Sequence, residues 1–227
     1  GIAEMIKSGT TCFADMYFNM EEVARAVEET GIRASLAQGM VGLAPTGETA
    51  FQKSRDLFQW NGRGDGRITV MLGPHAPYTC PPDYLKRVMS MADELGIGLH
   101  IHLAETMTEY NDIKAQYGKT PIALMEEIGL FERPVLAAHC VVLDDEDIEI
   151  LARRRVGVAH NPESNMKLAS GAARVPDMLA AGVLVALGTD GASSNNNLDM
   201  IQEMRSCCFM HKLVRLDPRA ITAYQAL

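Results

Sequence analysis

Long apolar runs are missing. None of about eighteen residues occurs in the 227-residue chain, which excludes a membrane-spanning helix, and no basic segment followed by an apolar one opens it as a secretion signal would. Basic clusters are also scarce. With a formal net charge of -8 and no cationic run longer than Arg153-Arg154-Arg155, the chain has no footprint for nucleic acid, and those three arginines complement the dipole at the end of an acidic helix beginning at Asp144. Cysteine is sparse and unpatterned. Cys12, Cys80, Cys140, Cys207 and Cys208 are odd in number and lack CxxC spacing, so neither a disulfide framework nor a cysteine zinc site is indicated, and a reducing, cytoplasmic setting is expected. An initiator methionine is absent too. The segment from Gly1 to Gly9 reads as the middle and end of an amphipathic helix, and Ala220 to Leu227 stops inside an apolar segment without a cap, so an internal piece of a longer protein is expected.

What is present is an ordinary globular composition, 47% hydrophobic and 22% charged, enough for one domain over 1–227. Short apolar runs alternate with helical patterns. Strands are expected at Thr10–Met16, Ile32–Met40, Arg67–Leu72, Leu99 onward, Val135–Leu143, Val156–Ala159 and Val183–Leu187. Helices are expected at Glu21–Thr30, Ala50–Trp60, Pro81–Leu95, Thr120–Ile128, Asp144–Arg155, Val175–Ala181 and Leu198–Leu213. The glycine-rich Asn61–Gly66 follows a helix and precedes a strand, the wrong order for a phosphate loop, and reads as a turn. Such a βα alternation implies a parallel sheet buried on both faces.

Polar residues gather where these strands stop: His75, His102 with Glu105, His139, His160 and Asp190. An open doubly wound sheet concentrates its site at one switch point, whereas a closed (β/α)8 TIM-type barrel displays polar groups at most strand ends, so these runs are read as strands 2 to 8 of a barrel. The stretch Leu99-His100-Ile101-His102-Leu103-Ala104-Glu105-Thr106 is the most informative. Histidine and glutamate are costly in a buried strand unless paired or bound to a metal, and an imidazole on a metal beside a carboxylate is the simplest site this spacing builds. A satisfied core histidine and a solvated loop glutamate are the alternative for that stretch alone.

His102-Leu103-Ala104-Glu105-Thr106, Ala137-Ala138-His139-Cys140, His160-Asn161-Pro162 with Ser164-Asn165-Met166-Lys167-Leu168, and Leu187-Gly188-Thr189-Asp190-Gly191 resemble the successive strand-end motifs of the amidohydrolase superfamily. Within it, Gly73-Pro74-His75-Ala76-Pro77-Tyr78 and Gly191-Ala192-Ser193-Ser194-Asn195-Asn196 are similar to those of the bacterial 5-methylthioadenosine/S-adenosylhomocysteine deaminases and the triazine hydrolases. The resemblance implies one divalent metal, zinc first and iron as the second choice, held by His102, Asp190 and two histidines expected upstream of Gly1. It implies that Glu105 is the proton shuttle, that His139 with Asp190 orients the attacking water and stabilises the developing alkoxide, and that His75, Glu105 and Asp190 contact substrate. The first barrel strand and the small β-sandwich of family members are then outside the given chain. The implied activity is hydrolytic deamination of an adenosine-type nucleoside. Deamination or dechlorination of guanine, a triazine or a related ring is its enzymatic rival, and an inactive barrel fragment or binding module its non-enzymatic one. A small-molecule substrate is the expected partner, with self-association into a homo-oligomer allowed for.

Other residues are weighed against this scheme. His100-Ile101-His102 is not the first-strand metal pair, because Asp190 follows it by only three strands, and His100 is expected in the core. His160 is expected to hold its loop and His211 to be structural. Arg67 to Gly73 carries no lysine to bridge two metals, which favours one. Cys140 beside His139 would face the opposite side of a strand and form no dyad, and Gly191–Asn195 lacks the last glycine of a nucleophile elbow. Gln38 stands before Gly39 where some of these deaminases carry arginine, so a carboxylate-bearing substrate is expected to be the poorer one.

Overall fold

A computed structural model describes all of residues 1–227. The strands are β1 (Cys12–Tyr17), β2 (Arg33–Met40), β3 (Ile68–Pro74), β4 (Leu99–Leu103), β5 (Val135–His139), β6 (Gly157–His160) and β7 (Leu184–Leu187). They form one seven-stranded sheet in chain order, every neighbouring pair parallel. This is what short strands joined by helical crossovers must build, because a parallel partner can be reached only by returning over the sheet. The returning helices include Met20–Thr30, Gly47–Phe58, Pro82–Leu95, Met107–Tyr117, Pro121–Glu127, Asp145–Arg154 and Val175–Ala180, and Met200–Arg215 follows β7. None of the helices is long and apolar enough to cross a membrane.

The sheet curls toward a barrel. His139 ends β5 and Asp190 lies beyond β7, two strands away, yet His139 Nε2 and Asp190 Oδ2 are 4.0 Å apart, less than the ~10 Å that flat strands at ~4.8 Å spacing would leave. β1 and β7 do not pair with one another. The period-two alternation sorts β4: Leu99, Ile101 and Leu103 are fully buried under the helices, each worth roughly 1.5–3 kcal/mol, while His100 and His102 share the opposite face. Most of the apolar layer is one cluster of 36 buried residues running from Met40 to Ile221, with a second of 9 under the first strands.

The expected strands are all present, with corrected ends. β5 stops at His139 rather than Leu143, because His139 (φ 74°) and Cys140 (φ 46°) turn left-handed and break the ladder. A helix over Met107–Tyr117 was not expected at all, nor were the short turns Pro162–Lys167 and Ala192–Asn195. Thr222 and Gln225 form a capping box at the start of the short helix Ala223–Ala226. Gly188 permits one close approach that matters. A Cβ there would lie 2.4 Å from Asn161 Oδ1, so any larger residue would have to push the Asn161 side chain aside on the way to Asp190.

Candidate active site at the strand ends

Three imidazoles line up along neighbouring strand ends. The rings of His75, just past β3, and His102 are 5.0 Å apart, and His102 stacks on His139 at 5.5 Å. Each is oriented through Nδ1. His102 Nδ1 lies 2.7 Å from the His75 carbonyl, which only accepts, so this nitrogen carries the proton and Nε2 keeps its lone pair. The Thr79 hydroxyl donates to the Ala76 carbonyl and therefore accepts from His75 Nδ1 at 2.8 Å, leaving His75 Nε2 bare as well. His139 Nδ1 meets Asn165 Oδ1 at 3.0 Å, which turns its Nε2 toward the carboxylates. Burial, and secondarily the neighbouring His102, brings the His75 pKa down to about 4. Burial followed by His139 lowers that of His102. Both rings are neutral at pH 7, the form that ligates metals or accepts protons.

Glu105 and Asp190 both approach His139 Nε2. Glu105 Oε2 is 3.8 Å and Asp190 Oδ2 is 4.0 Å from His139 Nε2. Asp190 is fixed at both oxygens, accepting from Ser164 Oγ at 2.7 Å and from the Gly191 amide at 2.6 Å. Its own φ of 61°, like the 50° of Ala104 and the 74° of His139, is strained for an L-residue. Left-handed residues thus stand at the ends of β4, β5 and β7, where the polar groups are delivered, as they also do at several turns elsewhere. Tyr78, partly exposed, stands edge-on to His75 at 5.7 Å. Burial raises its pKa, and so do the charges of Glu105 and Glu109.

The structure therefore gathers His75, His102, Glu105, His139 and Asp190 on one rim. His100 lies deeper, buried, its ring 6.4 Å from His102 and its pKa brought down to about 3 by burial and then by His102. His160 is engaged elsewhere: its Nε2 is 3.2 Å from Nε2 of His211 on the closing helix, and both rings are buried. Cys207 Sγ lies within 4.8 Å of both nitrogens. A histidine on a metal needs an acceptor for its other ring nitrogen, and His160 Nδ1 has no partner, so this group reads as a packed imidazole pair. Cys140 forms no dyad, though the reason differs from strand alternation. It has left the ladder and is wholly buried in the outer core, where burial pushes its thiol pKa up. Gln38 is buried on the strand face of Leu36 and Met40, and its amide donates to Gly39 O at 3.3 Å.

Sequence reasoning missed Ser164 and Asn165 as individuals, although both stand in the quoted motif after His160. It also missed two buried carboxylates. Glu203, on Met200–Arg215, accepts from the Asn195 amide and from the Glu163 backbone at 3.2 Å, and Asn195 also donates to Thr189 O at 2.8 Å, so the loops after β6 and β7 are tied to one helix. Glu109 accepts from two backbone amides beside Glu105. Burial pushes the pKa of each of these carboxyls up to about 7.

A curled parallel sheet with its polar groups at the strand ends defines a barrel-type enzyme site. The model of the amidohydrolase family matches residues 1–227, and the chain belongs to that family. It is 65% identical over 228 residues to a 5-methylthioadenosine/S-adenosylhomocysteine deaminase of Syntrophomonas wolfei, a match that takes in 100% of this chain and 53% of that protein. The chain spans about half the length of the curated relatives it matches. An adenosine deaminase from Xanthomonas campestris with bound zinc superposes with a TM-score of 0.93 at 36% identity, over 99% of this chain and 52% of that one. A guanine deaminase from C. acetobutylicum, at 20% identity, TM-score 0.90 and coverage of 99% and 57%, shares the fold.

Proposed function

We propose that the complete protein is a metal-dependent aminohydrolase that releases ammonia from an adenosine-type nucleoside, 5-methylthioadenosine, S-adenosylhomocysteine or adenosine, and leaves the inosine analogue. The observation that carries this reading is His139 Nε2 within reach of two carboxylates, Glu105 at 3.8 Å and Asp190 at 4.0 Å, at the ends of parallel strands. The names of the relatives and the zinc of the adenosine deaminase point the same way.

The donor chemistry fits a divalent cation. His102 offers a bare Nε2 on a ring whose Nδ1–H is bonded to a carbonyl, and Asp190 offers a carboxylate braced by Ser164, so these two would hold zinc, or iron, together with histidines outside this chain. Such a cation lowers the pKa of water to about 7 and so makes hydroxide available at neutral pH. The chain's own residues do the rest. Glu105 moves a proton between the attacking water and the ring nitrogen next to the attacked carbon. His139, held by Asn165, donates or accepts at Nε2 to orient that water and to stabilise the oxygen that develops charge. His75 and Tyr78 line the approach for the ring and exclude solvent from it.

The test is ammonia release by the complete protein from the three nucleosides, with guanine and a chlorotriazine alongside. Turnover of an adenosine derivative, reduced at least ~10²-fold in Glu105→Gln while metal content is retained, is expected. Turnover of guanine or the triazine alone would overturn the substrate class. Gln38 shares a sheet face with Leu72 and Leu99, opposite His100 and His102, so its amide meets the helix-covered core and the handicap expected for S-adenosylhomocysteine does not follow from it.

A further inference from the structure

Thr106 caps the helix Met107–Tyr117, its hydroxyl accepting from the Glu109 amide at 3.1 Å. In an ordinary capping box the side chain of this third residue would reach back to the cap's own amide. Here it reaches further. Glu109 Oε1 accepts from the Ala104 amide at 2.9 Å and Oε2 from the Glu105 amide at 2.8 Å. The left-handed turn at Ala104 (φ 50°) is what makes the two successive N–H groups converge, forming a small cradle for an anion, and the carboxylate that fills it is only 3% exposed. No lysine, arginine or histidine bonds to Glu109, so its charge is balanced by those amides and by the first turn of its own helix.

Glu105 needs such a device. Its carboxylate accepts no hydrogen bond from the chain, and His139 Nε2 stands 3.8 Å away, so its place is set by its backbone. We propose that Glu109 is the positioning residue of the proton shuttle: its carboxylate clamps the Ala104 and Glu105 amides, holds the left-handed turn, and thereby fixes where the Glu105 side chain leaves the end of β4. Glu109 itself is turned into the protein and touches neither substrate nor reacting atoms. This rests on the aminohydrolase reading, in which Glu105 carries the proton.

Glu109→Gln is the informative variant, because an amide keeps one oxygen for one N–H and sets an NH2 group against the other. In the complete, metal-loaded protein it should lower kcat by about 10- to 100-fold, the scale of an ångström-size misplacement, with KM changed less than about threefold and metal content unaltered. Glu105→Gln and the double variant separate positioning from general damage. If Glu109 acts through Glu105, adding Glu109→Gln to Glu105→Gln should cost less than about threefold more. Independently of activity, hydrogen exchange at the Ala104 and Glu105 amides should quicken at least ~10-fold in Glu109→Gln, with the rest of β4 unchanged. A kcat within threefold of wild type, a full extra loss in the Glu105→Gln background, or unchanged exchange at those amides would each overturn the inference. A wild-type protein without deaminase turnover, or one insensitive to Glu105→Gln, would instead bring down the reading beneath it.

Discussion

A single imidazole proton decides what His139 can do. Asn165 Oδ1 accepts from the Nδ1–H at 3.0 Å, and Nε2 then faces Glu105 and Asp190. Asn165→Leu should leave that N–H buried without a partner, costing about 1–3 kcal/mol of stability, and let the ring turn. We expect kcat to fall by one to two decades, less than the ~10²–10⁴-fold of a lost acid or base, because the ring remains. Steady-state kinetics beside urea unfolding would check both, and an unaltered kcat would show that Asn165 does not orient the ring. At this scale the sequence revealed donors and not partners. The histidines and carboxylates were legible because polar residues at the end of an apolar strand need a reason to be there. Asn165 lies 26 residues from His139 and meets it only through the fold.

For elements, the instructive case is Met107–Tyr117. Its cap Thr106, third residue Glu109 and stop Gly118 stand plainly in the sequence, yet only Glu109 and Ile113 of this helix are buried, so it has almost no apolar period to read. Thr106→Ala should cost about 1 kcal/mol by removing the bond to the Glu109 amide, measurable in thermal unfolding. Strand ends were misjudged for a related reason. β5 runs apolar to Leu143 in sequence, and nothing local announces that His139 and Cys140 turn left-handed. Helix stops show the same contrast. Gly31, Gly96 and Gly118 sit in left-handed stops as their residue type foretells, whereas Asp145–Arg154 ends on Arg155 at φ 55°.

Over the whole molecule, the βα rhythm and the direction of the strands were readable because they follow from the spacing of apolar runs. The meeting of His160 with His211, 51 residues apart, was not. Both rings bear on acid stability. Burial first, and for His160 its neighbour His211, brings these pKa values down to about 3 and 4, below the 6.5 of a free histidine. The unfolded chain therefore binds protons that the folded one refuses, and stability drops as pH falls below about 6.5. The loss continues until the folded pKa values are reached, and by pH 5 it amounts to about 2 kcal/mol for each ring. Urea unfolding at pH 7.5 and pH 5 should show this fall, and His211→Leu should reduce it by about 2 kcal/mol. A variant with the full wild-type slope would show that the pair does not titrate on unfolding.

The left-handed residues that end β4, β5 and β7 bear on how this protein can adapt to heat. Relieving a left-handed L-residue with glycine can gain up to ~1 kcal/mol, and at Arg155, on the outer surface, Arg155→Gly should raise the melting temperature and leave turnover alone. The same remedy at Ala104 would relax the turn that aims Glu105. Ala104→Gly should give a protein that survives heating better and works more slowly, so a lineage moving to warmer habitats would have to find its stability on the helix exteriors and leave the strained rim untouched.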